Sequence, residues 1–334
     1  MRLFRCLPMI FLAALVAAPA FAVEGSRDLE KHALAAPAAV EGSIPTLAKY
    51  LVMNAKTEGD KAWVIFRWIA DRISYDIDAY LSGRFRDLNT SSEQVLAKRS
   101  SVCDGYVVLF SELARHAGLE VMKISGYAKA YGVPASSVFA EENHAWILVR
   151  VAGEWRTVDP TWGAGYVAED RYSKKLDPLY FYSEPHQIKF THWSNNAAWR
   201  SVAVAGISKA EFESMPQVDP GLFHAGAKGD ALSTAARMPG FREFVHVFEQ
   251  NHHDLVLLEA PLAAHLRAGA SYRFRYRSDA FDEIIAIHGG KWQPMARAGN
   301  VFEADIQPGP GTILITGRLK SVGRPTGLFE YTVE

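Results

Sequence analysis

The spacing of apolar residues predicts helices in the first third of the chain. Between residues 60 and 73 they recur every three or four positions, which is typical of one face of a helix. A short helix is predicted over residues 91–98, where Ser91 and Gln94 have capping-box spacing. A third helix is predicted to begin near Ser101 and to end at Gly118. Its apolar face is formed by Tyr106, Phe110, Leu113, Ala114 and Ala117.

The pattern beyond this helix is that of an antiparallel sheet. Residues 121–127 have a strand-like pattern, and residues 145–151 are almost continuously apolar. Ala152-Gly153 is predicted to be a two-residue hairpin turn, from which residues 155–158 return as the next strand. Helices followed by an antiparallel sheet indicate an α+β fold.

The last third of the chain is predicted to be all β. Proline and glycine punctuate residues 205–240, which we interpret as a domain boundary. Beyond it, aromatic and arginine residues alternate over residues 272–277, and further short strands are predicted at 283–287, 301–306, 312–316 and 327–333. Strands at this spacing favour a β-sandwich of the immunoglobulin type. The arginine stripe is predicted to be a solvated sheet face, with an anion or polymer site as the alternative.

The first 22 residues are predicted to be a secretory signal peptide. Arg2 and Arg5 precede a short apolar run, and Ala20-Phe21-Ala22 is a small-x-small cleavage site. An uncleaved membrane anchor is the alternative. We therefore expect a periplasmic or secreted protein. No later apolar stretch is long enough to span a bilayer, so no stable membrane insertion is expected after signal removal.

Composition and charge exclude several classes of protein. The chain of 334 residues is 49% hydrophobic and 22% charged, which excludes a fully disordered chain, a collagen and a coiled coil. Its length suits two domains. A formal net charge of −1 provides no general attraction to nucleic acid, and none is expected as a partner.

Cys103 is the candidate nucleophile. The other cysteine, Cys6, lies in the predicted signal peptide, so the mature chain has no internal disulfide. At the start of a helix, free backbone N–H groups and the helix dipole favour a thiolate over a thiol. The same N–H groups can bind an oxyanion. A small buried thiol with a purely structural role is the alternative.

His144 and Asp159 are the candidate base and orienting carboxylate. If Ala152-Gly153 is a two-residue turn, Val151 faces Glu154 across the hairpin. In that register His144 and Asp159 lie on the same face of the sheet, one diagonal apart. A slip of one residue would place them on opposite faces. Together with Cys103 they form a nucleophile, base and carboxylate triad.

These segments resemble the core of the transglutaminase-like superfamily. The resemblance covers about residues 60–200 and, more loosely, the rest of the chain. It is carried by Ser101-Val102-Cys103-Asp104-Gly105-Tyr106, by Asn143-His144-Ala145-Trp146 and by Trp155-Arg156-Thr157-Val158-Asp159-Pro160-Thr161-Trp162. The closer likeness is to the kyphoscoliosis-peptidase group, whose flanking segments are similar to Tyr75-Asp76, to residues 181–185 and to Thr191-His192-Trp193.

The resemblance implies a papain-like core in which Cys103, His144 and Asp159 are the triad. Together with the residue patterns, it gives a division into signal peptide (1–22), flexible leader (23–45), transglutaminase-like catalytic domain (46–205), linker (206–235) and β-sandwich (236–334). The implied activity is acyl transfer from peptide or protein amides through a thioester, as a peptidase, an amidase or a transglutaminase. A non-catalytic protein-binding module that retains the fold is the alternative, and the β domain is a candidate docking module for a protein partner.

Three further residues are candidates for the substrate site. Papain-like enzymes add a side-chain oxyanion donor before the cysteine, and Gln94 and Tyr75 are both candidates for it. The alternative role of Gln94 is a helix cap, and that of Tyr75 is core packing. Trp162 is a candidate for lining the cleft, with core packing as the alternative. No histidine pair has the spacing of a zincin, so no metal is expected, and the resemblance implies no organic cofactor.

Overall fold

The computed structural model describes residues 26–130, 133, 137–202, 207–248, 254–320 and 325–334. The predicted signal peptide lies outside these residues. In the described part of the chain the α-helices are α1 (Ser26–Leu34), α2 (Ile44–Leu51), α3 (Glu58–Arg72), α4 (Ile77–Leu81), α5 (Ser92–Lys98), α6 (Cys103–His116), α7 (Pro185–Ile188), α8 (Ala197–Val202), α9 (Lys209–Ser214), α10 (Pro220–His224) and α11 (Gly229–Ala236).

The strands of the first half form one small sheet and two hydrogen-bonded pairs. They are β1 (Ser74–Tyr75), β2 (Ser100–Ser101), β3 (Val121–Ala128), β4 (His144–Val151), β5 (Glu154–Val158), β6 (Gly165–Ala168), β7 (Arg171–Lys174) and β8 (His192–Trp193). The sheet has the order β5-β4-β3-β8 and is antiparallel throughout. Helices packed against this sheet give the α+β core that the sequence predicts.

Helix α3 is the central support of this core. Thr57 and Asp60 form a reciprocal capping box at its start, each side chain accepting a backbone N–H of the other at 3.0 Å. Most of its residues are buried, including Trp63, Phe66 and Trp68. Because the buried residues of its middle turns point in several directions, the helix packs against several neighbours, which are α1, α6 and the sheet.

Part of the segment predicted to be a flexible leader is helical, since α1 spans Ser26–Leu34 and α2 begins at Ile44. Helix α1 buries Leu29 and Ala33 against the same core as α3, and Arg67 of α3 forms an ion pair with Glu30 at 2.6 Å. The prediction of a flexible leader is therefore wrong for residues 26–34. Alanine is a good helix former, and tertiary contacts supply the partner that this short helix needs.

Helix α6 confirms the predicted apolar face and the predicted stop. Tyr106, Phe110 and Leu113 are fully buried. Gly118 has φ 75°, and the N–H of Leu119 closes the last turn on Ala114 at 2.9 Å. The start differs slightly, since the helix begins at Cys103 rather than near Ser101. The predicted capping box of Ser91 on α5 is absent, because its side chain makes no capping hydrogen bond.

The hairpin β4–β5 has the predicted register. Val151 faces Glu154 and Ile147 faces Val158. The turn residues Ala152 and Gly153 have φ 51° and 82°, the two positive values that a type I′ turn requires.

The segment predicted to be a linker contains three short helices. Phe212 of α9 packs beside Tyr127 and Trp193 of the first sheet, whereas Leu222 of α10 and Leu232 of α11 belong to the core of the C-terminal sheets. The chain thus passes from one core to the other between α9 and α10. The domain limits themselves remain a prediction.

The C-terminal strands form two facing sheets. They are β9 (His246–Val247), β10 (Val256–Glu259), β11 (His265–Leu266), β12 (Tyr272–Arg277), β13 (Phe281–His288), β14 (Lys291–Pro294), β15 (Ala296–Ala298), β16 (Val301–Ile306), β17 (Gly311–Leu319) and β18 (Pro325–Val333). One sheet has the order β10-β12-β16-β15 and the other β11-β18-β17-β13-β14, with β9 beside β18. Their apolar faces share one core, as in a sandwich.

The arginine stripe of β12 lies on the outer face of this sandwich. Phe274 and Tyr276 point into the core, and the arginines between them point out. Arg273 pairs with Asp305 at 2.9 Å, and Arg275 with Glu303 at 3.1 Å. Because neighbouring carboxylates neutralise these two arginines, the predicted solvated face fits better than an anion site. Among the described residues, no helix is both long and apolar enough to cross a membrane.

Candidate active site

Cys103 occupies the first position of α6. Its thiol is free and partly exposed. Val102 ends the preceding extended segment and contributes no side-chain cap. The N–H of Gly105 donates to the Val102 carbonyl at 3.0 Å. The first N–H groups of a helix lack intrahelical partners, so the N–H of Cys103 is available beside the thiol.

Tyr75 is brought to Cys103 by a pair of parallel strands. Strand β1 pairs with β2 so that Tyr75 faces Ser101, two residues before the cysteine. Burial raises the pKa of Tyr75 well above its usual value, and the nearby charges of Cys103, Tyr80 and Asp159 raise it further. The phenol therefore stays protonated and can donate a hydrogen bond.

His144 and Asp159 form a buried hydrogen-bonded couple. The His144 Nε2 lies 2.7 Å from the Asp159 Oδ2. His144 is the first residue of β4, and Asp159 directly follows β5, so the hairpin register brings them together. The diagonal contact predicted from the sequence is therefore present.

The electrostatics of the couple favour an imidazolium beside a carboxylate. Burial lowers the pKa of His144, but the charge of Asp159, the hydrogen bond to it and the Cys103 thiol together raise it above its usual value. Burial raises the pKa of Asp159, but His144 and His192 hold it well below its usual range. Because Nε2 is used by Asp159, the ring presents Nδ1 to the thiol.

Sequence reasoning missed the role of His192. Its ring is fully buried, and its Nε2 lies 3.1 Å from the same Asp159 Oδ2. It resides on β8, which joins the sheet by pairing Ala128 with His192. The sequence offered one signal, the resemblance of Thr191-His192-Trp193 to a flanking segment of the kyphoscoliosis-peptidase group, but no role followed from it.

The other two candidate residues are in different surroundings. Trp162 lies against the site, with its ring centroid 5.4 Å from that of His144 and 4.6 Å from that of His192. Gln94 is exposed on α5. Of the two candidate oxyanion donors, the structure brings Tyr75 and not Gln94 to the site.

A cleft of about 870 Å³ opens beside these residues. Tyr75, His144 and Trp162 line one part of it, and Phe248 and Phe329 of the β domain line another. Cys103 is not one of the residues that line the cleft. Its thiol interacts with His144, Tyr75 and Tyr80, and these three residues do line it. The two domains therefore share one cavity.

Within the described residues, His144, Asp159 and His192 are the one group close enough to hold a metal ion, with ligand atoms within 4.8 Å of one another. Both histidine Nε2 atoms already hydrogen-bond to one carboxylate oxygen. A metal would have to replace both of these hydrogen bonds. The geometry is that of a proton-bearing network.

The chain matches known proteins over its first domain. Residues 45–160 match the family described as the transglutaminase-like superfamily. The chain is 28% identical over 172 residues to kyphoscoliosis peptidase of Mus musculus, covering 50% of this chain and 26% of that protein. It is 30% identical over 164 residues to kyphoscoliosis peptidase of Homo sapiens, covering 48% of this chain and 24% of that protein. The chain thus spans about a quarter of the length of these curated relatives.

A crystal structure of a TGase is also similar, at 18% identity and a TM-score of 0.27, covering 52% of this chain and 39% of that one. Residues 45–160 therefore form a domain similar to the transglutaminase-like superfamily. Over about half of its length the chain is also similar to the kyphoscoliosis peptidases. Both levels of the resemblance predicted from the sequence are confirmed.

Proposed function

We propose that this protein is a cysteine-dependent acyl-transfer enzyme that acts on peptide or protein amides. The observation that carries the proposal is the position of His144, which contacts the Cys103 thiol and lies 2.7 Å from the buried Asp159 carboxylate. A histidine between a helix-start cysteine and a carboxylate is the arrangement that activates a thiol nucleophile.

The reaction proceeds in two halves. The Cys103 thiolate attacks the amide carbonyl, and the backbone N–H of Cys103 and the Tyr75 hydroxyl hold the oxyanion. His144 gives its proton to the leaving amine as the C–N bond breaks, which leaves a thioester on Cys103. An acceptor then attacks the thioester, His144 takes the proton of the acceptor, and the thiolate leaves.

The acceptor decides the class of enzyme. Water gives a peptidase or amidase, and a primary amine gives a transglutaminase. The cleft supports a peptide substrate, because its walls come from both domains and it reaches well beyond the reacting residues. Incubation with peptide libraries, with and without a labelled alkylamine, separates the two classes by the mass of the product.

The first test of the proposal is the reactivity of Cys103 toward iodoacetamide. Because the raised pKa of His144 maintains an imidazolium that pairs with the thiolate, we expect alkylation at pH 6 to be about tenfold or more faster than that of a free thiol. His144→Ala is expected to abolish this advantage. His116→Ala, a change of an exposed histidine on the same helix, is the matched control and is expected to leave the rate unchanged.

Reaction of Cys103 only after denaturation would overturn the enzyme proposal and favour the binding module. Site-resolved mass spectrometry distinguishes Cys103 from Cys6 in the full chain.

We also propose that the protein is exported. The basic, apolar and small-residue order of residues 1–22 supports this. Mass spectrometry of the protein from a periplasmic or secreted fraction is expected to find a new N-terminus at Val23. An intact N-terminus at Met1 in that fraction would contradict signal cleavage.

A further inference from the structure

His192 shares the carboxylate of Asp159 with His144. The Oδ2 atom accepts from the Nε2 of His144 at 2.7 Å and from the Nε2 of His192 at 3.1 Å. The Oδ1 atom accepts the backbone N–H of Thr161 at 2.9 Å and that of Trp162 at 3.1 Å. Four donors thus surround a fully buried carboxylate, which fills its acceptor capacity.

The donor pattern determines the tautomer of His192. An ionised carboxylate only accepts hydrogen bonds, so Nε2 of His192 must carry a proton. Its Nδ1 lies 2.8 Å from the Thr191 hydroxyl, whose single proton has two acceptors within reach, this Nδ1 and the Ile188 carbonyl at 3.1 Å. In a neutral ring protonated at Nε2, Nδ1 is the acceptor of that proton. Burial is the main cause that lowers the pKa of His192, to about 4. The hydrogen bond to Asp159 and its charge raise this pKa in part, and the positive charge of His144 lowers it. His192 is therefore a neutral donor at neutral pH.

The surroundings of His192 hold its ring in place. The ring contacts Trp146 edge-on at 4.9 Å between centroids and lies 4.6 Å from the ring of Trp162. The pairing of β8 with β3 holds its backbone next to the strand that pairs with β4. A ring packed in this way cannot turn away from Asp159 without moving the sheet edge.

We propose that His192 is a positioning residue that fixes Asp159 and limits how tightly Asp159 holds the proton of His144. Two donors on one oxygen compete for its charge, so each hydrogen bond is weaker than it would be alone. His144 must release its proton in one half of the reaction and accept one in the other. With His192 absent, Asp159 would hold the imidazolium more strongly, and less neutral His144 would be available as a base. The inference rests on the function proposed above.

The test uses p-nitrophenyl acetate, which acetylates a reactive thiol and releases nitrophenolate. The burst of nitrophenolate reports attack by Cys103, as the new C–S bond forms and the ester C–O bond breaks. The steady rate reports hydrolysis of the acetyl-thioester. Water adds to the carbonyl while neutral His144 takes a proton from the water, and the C–S bond then breaks to give acetate and the Cys103 thiolate. The steady rate therefore rises with pH as His144 loses its proton.

His192→Phe keeps an aromatic ring but removes the donor. We expect the rise in the steady rate to move by about one unit to higher pH, because a hydrogen bond to a charged group is roughly that strong. The steady rate at pH 7 is then expected to fall about tenfold. Alkylation of Cys103 by iodoacetamide at pH 6 is expected to stay within about twofold of wild type, because the ion pair of Cys103 and His144 persists.

Two further variants test the sign of the effect. His192→Gln places an amide N–H near the position of Nε2 and is expected to restore the wild-type pH profile. Asp159→Asn removes the negative charge beside His144 and is expected to move the rise to lower pH. The other titratable groups that face Asp159 are phenols whose raised pKa values keep them protonated over the range tested, namely Tyr75, Tyr106 and Tyr180.

An unchanged pH profile in His192→Phe, with normal alkylation, would overturn this inference alone. A shift to lower pH together with slow alkylation would show that His192 only supports the fold, and would also overturn it. A wild-type thiol that iodoacetamide does not alkylate faster than a free thiol would overturn the proposed function, and this inference with it.

Discussion

At the scale of single residues, the surroundings of Tyr75 and Gln94 separate two candidates that the sequence left open. Tyr75 is mostly buried, faces Ser101 across paired strands and is affected by the charge of Cys103. Gln94 is exposed on a helix that precedes the site. A hydroxyl donor beside the thiol can stabilise an oxyanion only if it points to where the charge develops.

Tyr75→Phe is therefore expected to slow the acetylation burst with p-nitrophenyl acetate by about 10²- to 10³-fold, because it removes one oxyanion donor. Alkylation by iodoacetamide develops no oxyanion, so its rate is expected to change little. Gln94→Ala is the matched control and is expected to leave both rates unchanged. An undiminished burst in Tyr75→Phe would remove the hydroxyl from the mechanism.

At the scale of elements, the edge strand β8 and the turn of the hairpin determine the geometry of the couple. The type I′ turn at Ala152 and Gly153 sets the register that brings Asp159 to His144. Gly126 of β3 pairs with His144 of β4. It directly precedes Tyr127, which pairs with Trp193 of β8. A Cβ at this glycine would lie 2.4 Å from the backbone oxygen of Trp193.

Gly126→Ala is expected to push β8 outward and to lower the free energy of unfolding by about 1–3 kcal/mol, which is typical of overpacking. Because β8 carries His192, we also expect the pH profile of the steady rate to move as in His192→Phe. Urea denaturation and the p-nitrophenyl acetate assay measure the two effects. Gly309→Ala is the control, since a Cβ there meets nothing within 4 Å. Wild-type stability in Gly126→Ala would show that β8 does not pack this closely.

At the scale of the whole molecule, the β domain forms part of the wall of the cleft. Phe248 and Phe329 line the same cavity as His144 and Trp162. Helices α10 and α11 belong to the core of the β domain, although they lie in the predicted linker. A long substrate would therefore contact both domains, whereas a small ester would contact only the first.

Phe248→Ala is expected to lower kcat/KM for peptide substrates by about tenfold through KM, because it removes apolar contact area far from the reacting atoms. Turnover of p-nitrophenyl acetate is expected to stay at the wild-type level. Trp292→Ala, at an exposed position of the β domain, is the matched control. An equal loss with both substrates would indicate damage to the fold rather than a substrate contact.

The sequence by itself determined the features that depend on local chemistry. Period-two alternation and a two-residue turn place His144 and Asp159 on one face, and apolar spacing with Gly118 predicts the length of α6. These features depend on residues close in the chain, where backbone geometry leaves few alternatives. The outer arginine face of β12 follows from the same alternation.

Only the tertiary structure decided which distant residues meet. Helix α1 forms because α3 covers its apolar side, and no composition rule for residues 23–45 contains that contact. Tyr75 reaches Cys103 through a strand pairing across 26 residues, and His192 reaches Asp159 from an edge strand 33 residues further on. These contacts join segments that are distant in the chain and meet only when the protein folds. Local sequence patterns therefore do not predict them.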